Sequence, residues 1–330
     1  MPVADTLLAL GLALALTLPR PGHARPFAFV TNQGDDSLTV VNLAAGESER
    51  TIALGKDPAG IAASAACRCA FVTNVTDATV TRVDLATLST GPPRAAGKGP
   101  LGLALSPSAE RLYVADWYGE ALLEFDAATL AQTRSAPLGA APAGVAVSPD
   151  GRTIVVANRD DHEVQVLDAD DLSTRARIGV GEAPFGVTIA GDGRRLFVAN
   201  VRSGDVSVID LARHSVEATI AVGTFPYAVA HDPVTERLFV SNQQDGTVSV
   251  VDLEAGRTIA TLAGGEYPEG IDIDVEARRV YVANWFSDSL SVIDVDALEV
   301  IDEIATGGGS RAFGRFLVDY AGPAGGETTR

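Results

Sequence analysis

The chain has 330 residues, of which 46% are hydrophobic, and its 43 acidic and 25 basic side chains give a formal net charge of −18. The hydrophobic fraction is typical of a folded globular protein. Excess negative charge disfavours contact with the phosphate backbone of nucleic acids and with anionic membrane surfaces. We therefore expect a monomer with no nucleic-acid partner and no membrane insertion, whose partner is an unidentified protein or small-molecule ligand.

The first predicted element is a signal peptide over residues 1–24. Residues 7–18 form an apolar run that is too short to span a bilayer and has the length of a signal-peptide core. Gly22 and Ala24 supply small residues where a signal peptidase reads the chain, so we expect cleavage near Ala24. The mature protein would then be periplasmic or extracellular. Signal peptides normally begin with basic residues, and this segment has none at its start. A wrongly assigned start codon would explain their absence.

Beyond this leader, a small polar residue recurs every 42 residues at the end of an apolar run. The positions are Asn32, Asn74, Asp116, Asn158, Asn200, Asn242 and Asn284. A second polar series lies at Asn42, Asp84, Asp126, Asp168, Asp210, Asp252 and Asp294, and a glycine series at Gly55, Gly97, Gly139, Gly181, Gly223, Gly265 and Gly307. A period of about 40 residues built from short alternating segments is typical of a β-propeller.

One unit illustrates the predicted blade. Arg195–Asn200 and residues 206–210 are rich in β-branched and aromatic residues and flank a turn that contains Gly204, which predicts a β-hairpin. Residues 218–222 and 228–230 predict two further strands. Four short antiparallel strands per unit form a propeller blade. The predicted fold is therefore all-β, a seven-bladed propeller in one domain over residues 25–320, followed by a disordered tail at 321–330.

The chain enters this propeller in mid-blade. Residues 27–32 correspond to the second strand of a blade, and residues 312–317 correspond to a first strand. We expect the C-terminal strand to pair with the N-terminal strand in one composite blade, because this closes the ring and removes exposed sheet edges. The repeated Asn and Asp residues are interpreted as structural, with side-chain oxygens that accept backbone N–H groups of the following turn. The glycine series, as at Gly223, is interpreted as a response to backbone geometry: glycine is needed where the backbone angles disfavour a residue with a side chain.

The quartets that end the predicted second strands suggest a family. They read Phe-Val-Thr-Asn at 29–32 and 71–74, Phe-Val-Ala-Asn at 197–200 and Tyr-Val-Ala-Asn at 281–284. This pattern resembles the YVTN β-propeller repeat of the WD40/YVTN repeat-like superfamily over residues 27–318. The resemblance implies a YncE-like, seven-bladed, usually exported protein, in a family most of whose members have no established enzymatic activity. The departures are Asp116, Ser310 in place of proline, and Ala228 and Ala312 in place of glycine.

Candidate binding residues are those that break the repeat on one face of the propeller. The links between blades, such as residues 223–226, share this face with the turns after the repeated asparagines. The candidates are Trp117, Tyr118, Arg159, His162, Glu182, Phe225, Glu266, Tyr267, Trp285, Phe286 and Arg311. Exposed aromatic side chains suit a sugar, peptide or protein, and an aromatic and acidic mouth suits a cationic ligand. Alternatively, each tryptophan folds down over its own blade or a neighbouring one.

Cys67, Cys69 and His162 are the candidates for metal binding. Cys67 and Cys69 could close a small disulfide, hold a soft metal ion or be ordinary turn residues, since two thiols cannot complete the usual zinc shell. No Cys-x-x-Cys-His, Gly-x-Ser-x-Gly or phosphate-loop motif occurs in the sequence. We predict no catalytic residue, no resident metal and no cofactor.

Several functions agree with this pattern. The sequence favours an exported, non-catalytic binding or scaffold propeller that uses the loop face around the central channel, and it leaves enzymatic activity open. A lactonase-like periplasmic hydrolase would need Glu182, Glu266, Arg311 and His162 to converge in the funnel. An accessory protein of a quinoprotein oxidation system and a surface adhesion module are further alternatives.

Overall fold

A computed structural model describes residues 25–320, and every regular element in this range is a β-strand. The predicted signal peptide and the predicted tail lie outside the described residues. The strands form seven sheets, each a blade of four antiparallel strands, and the inner strands of neighbouring blades contact one another around a ring. The predicted all-β, seven-bladed propeller is confirmed. Within residues 25–320 no helix is long and apolar enough to cross a membrane.

Blades 1 to 7 are numbered along the chain, and in each of blades 2 to 7 the strands run from the channel to the rim. Blade 2 contains β4 (Pro58–Ser64), β5 (Cys69–Asn74), β6 (Thr79–Asp84) and a rim strand split into β7 (Ser89–Thr90) and β8 (Arg94–Ala95). Blades 3 and 4 contain β9 (Pro100–Leu105), β10 (Arg111–Asp116), β11 (Ala121–Asp126), β12 (Gln132–Pro137), β13 (Pro142–Val147), β14 (Thr153–Asn158), β15 (Glu163–Asp168) and β16 (Thr174–Gly179). Blades 5 and 6 contain β17 (Pro184–Ile189), β18 (Arg195–Asn200), β19 (Asp205–Asp210), β20 (Ser215–Ala221), β21 (Pro226–Asp232), β22 (Arg237–Asn242), β23 (Thr247–Asp252) and β24 (Arg257–Ala263). Blade 7 contains β25 (Pro268–Asp274), β26 (Arg279–Asn284), β27 (Ser289–Asp294) and β28 (Glu299–Ala305).

The core lies between the blades. The second strand of a blade is buried on both faces because neighbouring sheets cover it, and in β18 Leu196, Phe197, Val198 and Ala199 are all buried. Rim strands are covered on one side only. In β28 every residue except Ile304 is exposed. The continuous apolar quartets of the sequence are therefore blade-to-blade contacts.

Blade 1 closes the ring. It contains β1 (Arg25–Asn32), β2 (Ser37–Asn42), β3 (Glu47–Ala53) and, on the channel side, β30 (Leu317–Tyr320), which pairs antiparallel with β1. The predicted composite blade is confirmed, but the pairing segment differs from the predicted residues 312–317. A short strand, β29 (Phe313–Arg315), leaves blade 1 and pairs in parallel with β4 of blade 2.

Two residues account for this detour. Gly314 has a φ of 125°, and a Cβ there would lie 2.3 Å from the carbonyl oxygen of Ile61, so only glycine fits against β4. The partly buried Asp272 side chain of blade 7 then accepts hydrogen bonds from the backbone N–H groups of Phe316 and Leu317, both at 3.1 Å. The chain is thereby returned to β1.

The repeated asparagines bond differently from the prediction. Asn242 donates through Nδ2 to Thr247 Oγ1 at 3.1 Å and Ser249 Oγ at 2.9 Å, and its Oδ1 accepts the N–H of Gly223 at 3.1 Å. A Cβ at Gly223 would lie 2.6 Å from Asn242 Cγ, and Gly223 is not in the left-handed region. The interpretation of Gly223 as an unusual backbone angle is therefore wrong, since close approach of the asparagine excludes a side chain.

Candidate functional site

Two sets of repeat positions surround the channel axis on the face formed by the blade links and the turns after the repeated asparagines, here called the link face. The inner ring consists of the residues after the repeated prolines or Ser310: Ala59, Leu101, Ala143, Phe185, Tyr227, Glu269 and Arg311. The turn ring consists of the residues after the repeated polar positions: Gln33, Val75, Trp117, Arg159, Val201, Gln243 and Trp285. Inner-ring residues of five blades share one hydrophobic cluster, which is possible only near the axis.

Aromatic side chains close the channel at the link face. The ring of Phe185 lies 4.5 Å from that of Tyr227 and 4.9 Å from that of Phe313, measured between centroids. Trp117 of the turn ring lies 6.2 Å from Phe185. Phe313 joins this group because it belongs to β29, which lies on the channel side of β4. These four residues, together with Glu269 and Arg311, are called the plug.

The polar part of the plug is a buried ion pair. Arg311 Nε lies 2.9 Å from Glu269 Oε2, while its N–H is directed at the Tyr227 hydroxyl, 3.1 Å away. Gln243 Nε2 donates to Glu269 Oε1 at 2.5 Å, and Arg311 donates to Gln33 Oε1 at 3.1 Å. Burial raises the pKa of Glu269 against the opposing effects of Arg311 and Gln243. Burial acts to lower the pKa of Arg311, but Glu269 and Tyr227 outweigh it and the pKa is raised.

The candidate residues near the plug are already engaged to different degrees. Arg311 is used by Glu269 and Tyr227, so its charge is neutralised within the protein. Arg159 lies over the Trp117 ring, with Cζ 5.7 Å from the centroid. His162 accepts the N–H of Ala183 through Nδ1 at 3.0 Å, and Glu182 is exposed. Trp117 therefore packs against the aromatic residues at the channel axis.

Trp285 belongs to a separate group at the link face of blade 7, here called the aromatic patch: Tyr267, Trp285 and Phe286. Trp285 and Phe286 stack at 4.7 Å between ring centroids, and Tyr267 meets Phe286 edge to face at 4.6 Å. Phe286 is 56% exposed. The structure thus brings three of the predicted binding residues together. Tyr118, 69% exposed, lies on blade 3.

The link residues Tyr267 and Phe225 are held in an unfavourable conformation. Their φ angles are 57° and 56°, in the left-handed region that L-residues with bulky side chains avoid. Other blades place Ala141, Ala183 or Gly309 at the same repeat position. Phe225 is nevertheless 38% exposed. Strain that is retained at the exposed Phe225 and the half-buried Tyr267 points to a role in binding.

The metal-site candidates are not brought together. Cys67 and Cys69 form a disulfide on the opposite face, so their sulfurs are not free to bind a metal ion, and His162 lies on the link face. Within the described range, no group of three or more His, Cys, Asp or Glu side chains has a geometry suited to a metal ion.

The channel is open on the opposite face, where turns join the first and second strands of each blade; this is called the hairpin face. A cavity of about 910 Å³ enters there between the inner strands. Asp272 and Arg315 line its wall, and burial raises the pKa of Asp272 against the effect of Arg315. Sequence reasoning missed Asp272. Its repeat position supplied a signal, since the same position holds Ala104, Ala146 and Ala230 in other blades.

The comparisons with known proteins identify the fold. No family model matches the chain, and no curated protein matches it. A protein of unknown function from Desulfotomaculum acetoxidans DSM 771 superimposes with a TM-score of 0.75 at 16% identity, covering 87% of this chain and 99% of that one. Hydrazine synthase of Kuenenia stuttgartiensis gives 0.72 at 19% identity, with 86% and 99% covered. The dihydro-haem d1 dehydrogenase NirN, in complex with DHE, gives 0.63 at 17% identity, with 94% and 78% covered. At these identities the similarity concerns the fold alone.

Proposed function

We propose that this protein is an exported, non-catalytic binding propeller of the YVTN-repeat, YncE-like type, and that its aromatic patch binds a basic segment of a protein partner. The observation that carries the proposal is the contact group of Tyr267, Trp285 and Phe286, which is built on a strained link and in which Phe286 is exposed and the other two are half-buried. Tyr267 keeps a strained backbone, and the exposed ring of Phe286 contributes little to the core. Binding accounts for its presence.

The surroundings of the patch favour a cationic partner. Glu266 directly precedes Tyr267, and Asp288 follows Phe286 by two residues, and both acidic residues are exposed. Lysine and arginine are attracted to aromatic faces and to carboxylates together. The net charge of −18 accelerates the approach of a basic segment.

A lactonase-like hydrolase has less support. Its four required side chains include Arg311, which is paired with Glu269, and His162, whose Nδ1 is occupied by the Ala183 N–H. An accessory role beside a quinoprotein or another oxidation system remains a proposal of the same binding class. The similarity to hydrazine synthase and NirN is a similarity of fold and does not select among partners.

Export is part of the proposal. It rests on the apolar segment at residues 7–18 and on the YVTN-like quartets. Expression of the full chain in a bacterium, followed by cell fractionation and N-terminal sequencing, should recover a periplasmic or secreted protein that begins near Arg25. Recovery of the uncleaved chain from the cytoplasm would overturn this part.

The binding proposal can be tested with the protein's own fluorescence. The chain has two tryptophans, so Trp117→Phe leaves Trp285 as the single reporter. A synthetic Lys/Arg-rich peptide should change Trp285 emission, and the same peptide with glutamine at each basic position should not. Phe286→Ala should weaken binding roughly tenfold or more, whereas Tyr118→Ala, which removes an exposed aromatic ring from blade 3, should not. Equal binding of the two peptides, or unchanged affinity in Phe286→Ala, would contradict the proposal.

A further inference from the structure

The Cys67–Cys69 disulfide lies in the turn between β4 and β5 and is unevenly exposed. Its Cα atoms are 5.2 Å apart, with Arg68 between the two cysteines. Cys69 is buried at 1% exposure and packs in the core between blades 2 and 3, whereas Cys67 is partly exposed. An attacking thiolate therefore has better access to Cys67, which packs at the edge of this core, than to the buried Cys69. Ser64, Ala65 and Ala66 of the same turn line the cavity on the hairpin face.

The turn does not depend on the disulfide. Blades 6 and 7 form the same turn with Thr235 and Ala277 at the position of Cys67. The residue that follows has a left-handed φ in all three blades, 49° at Arg68, 52° at Glu236 and 57° at Arg278. Its carbonyl oxygen accepts the same backbone hydrogen bond, from Leu85, Leu253 and Val295 respectively. Reduction can therefore leave the hairpin intact.

The disulfide is also a weak constraint on the unfolded chain. Its two cysteines are separated by two positions in the sequence. The entropy that a disulfide removes from the unfolded state increases with the length of the loop it closes, so this loop is close to the minimum. Maintaining the fold is thus a poor explanation for the bond.

We propose that Cys67 and Cys69 form a redox centre that exchanges with dithiols at the hairpin face. A thiolate of the dithiol attacks Cys67 Sγ, a mixed disulfide forms, and the Cys67–Cys69 bond breaks with its electron pair passing to Cys69, which takes up a proton. The second thiol of the dithiol, as thiolate, then attacks its own mixed-disulfide sulfur and releases Cys67. The dithiol is oxidised to a disulfide, and Cys67 and Cys69 are reduced to two thiols.

The neighbourhood of the accessible sulfur suits this exchange. Arg68 places a positive charge beside Cys67, and nearby positive charge favours the thiolate form of a cysteine. The attack site is separate from the aromatic patch, which lies on the link face. Exchange and peptide binding can therefore succeed or fail independently.

The first experiment reduces the folded protein. The full chain is treated with increasing dithiothreitol without denaturant, alkylated and weighed by mass spectrometry, while circular dichroism follows the fold. We expect both thiols to appear together, with the β-sheet spectrum unchanged and the melting temperature lowered by only a few degrees. Thiols that appear only when the protein unfolds would overturn the proposal.

The second experiment assigns the attack site and the activity. In Cys69→Ser the remaining Cys67 thiol should react with Ellman's reagent at least about tenfold faster than the remaining Cys69 thiol of Cys67→Ser. With oxidised glutathione to regenerate the disulfide, the wild-type chain should catalyse oxidation of a dithiol peptide. The double serine variant is the matched control. Equal thiol reactivity in the single variants, or equal peptide oxidation by wild type and control, would overturn it.

Discussion

Arg311 and Glu269, from adjacent blades, meet at the channel axis with 2.9 Å between Nε and Oε2. Glu269 is 3% exposed; Gln243 of the turn ring donates to its Oε1, and Gln33 accepts a hydrogen bond from Arg311, while Glu269 Oε2 has only the ion pair. Arg311, which the sequence suggests as a ligand contact, is therefore part of the contact between blades 1 and 7.

Breaking this pair should be costly. Glu269→Ala leaves the Arg311 guanidinium buried without a counter-charge, and we expect it to lower the free energy of unfolding by roughly 3–5 kcal/mol. The double variant Glu269→Leu/Arg311→Met removes both charges and should lose much less than the sum of Glu269→Leu and Arg311→Met. Urea denaturation of the four proteins measures the coupling. Additive losses would show that the two side chains do not stabilise the ring as a pair.

The exception in the asparagine series predicts a rescue. Asp116 has no N–H to donate, and instead accepts the N–H groups of Gly99 at 2.8 Å, Lys98 at 3.0 Å and Gly119 at 3.1 Å. The positions that accept the Asn Nδ2 in other blades are Ala121 and Leu123 here. Asp116→Asn should therefore bury an unsatisfied donor and cost about 1–3 kcal/mol. In the background of Ala121→Thr and Leu123→Thr, after Thr79 and Thr81 of blade 2, Asp116→Asn should cost much less in thermal melts, and this background also accounts for the packing lost at the buried Leu123.

The strained link at Phe225 predicts a stabilising substitution. Because its φ is 56°, Phe225→Gly should raise the free energy of unfolding by about 1 kcal/mol. Phe225→Ala is the matched control, since it removes the same ring but keeps a Cβ in the left-handed region. Thermal or urea midpoints of the two variants isolate the backbone contribution. A glycine variant no more stable than the alanine variant would argue against strain.

Acid stability should depend on the second polar series. Hydrogen bonds from the following turn lower the pKa values of these carboxyl groups: Asp84, Asp126, Asp168, Asp210 and Asp294. An acid whose pKa is lowered by folding stabilises the fold above its ordinary pKa of about 3.9, and this stability is lost as the pH falls through the folded value. Replacing all five with Asn should flatten the fall in urea midpoint between about pH 4 and pH 2.

The natural chain supplies the control for that experiment. Asn42 occupies the same repeat position in blade 1 and accepts the N–H groups of Ala44 and Ala45, both at 3.1 Å, so asparagine supports the turn without titrating. At pH 7 the five-fold variant should still fold but with a lower urea midpoint than the wild type, because it lacks the stabilisation that the ionised carboxylates supply there. If the urea midpoint of the variant fell with pH as steeply as that of the wild type, other carboxyl groups would be responsible for the acid sensitivity.

Much of the fold can be predicted from the sequence because the residues that form one blade lie within one 42-residue repeat. A residue such as Val198 must be apolar because it contacts the neighbouring blade, and the same requirement recurs every 42 residues. The closing partners at the two ends could also be predicted, since an incomplete first blade and an extra last strand complement each other. The detour of Phe313–Arg315 could not, because it depends on contacts with Ile61 and Asp272, which are distant in sequence.

The same reasoning predicts the candidate site only in part. The sequence by itself determined the number of blades, the composite closure and the repeat positions at which Trp117 and Trp285 occur, since all of these follow from a local period. Only the tertiary structure decided that Trp117 belongs to the plug while Trp285 joins the aromatic patch, and that Arg311 is neutralised by Glu269. The reason is physical: around the channel axis, residues of all blades meet, so the environment of each is set by side chains that its own repeat does not contain.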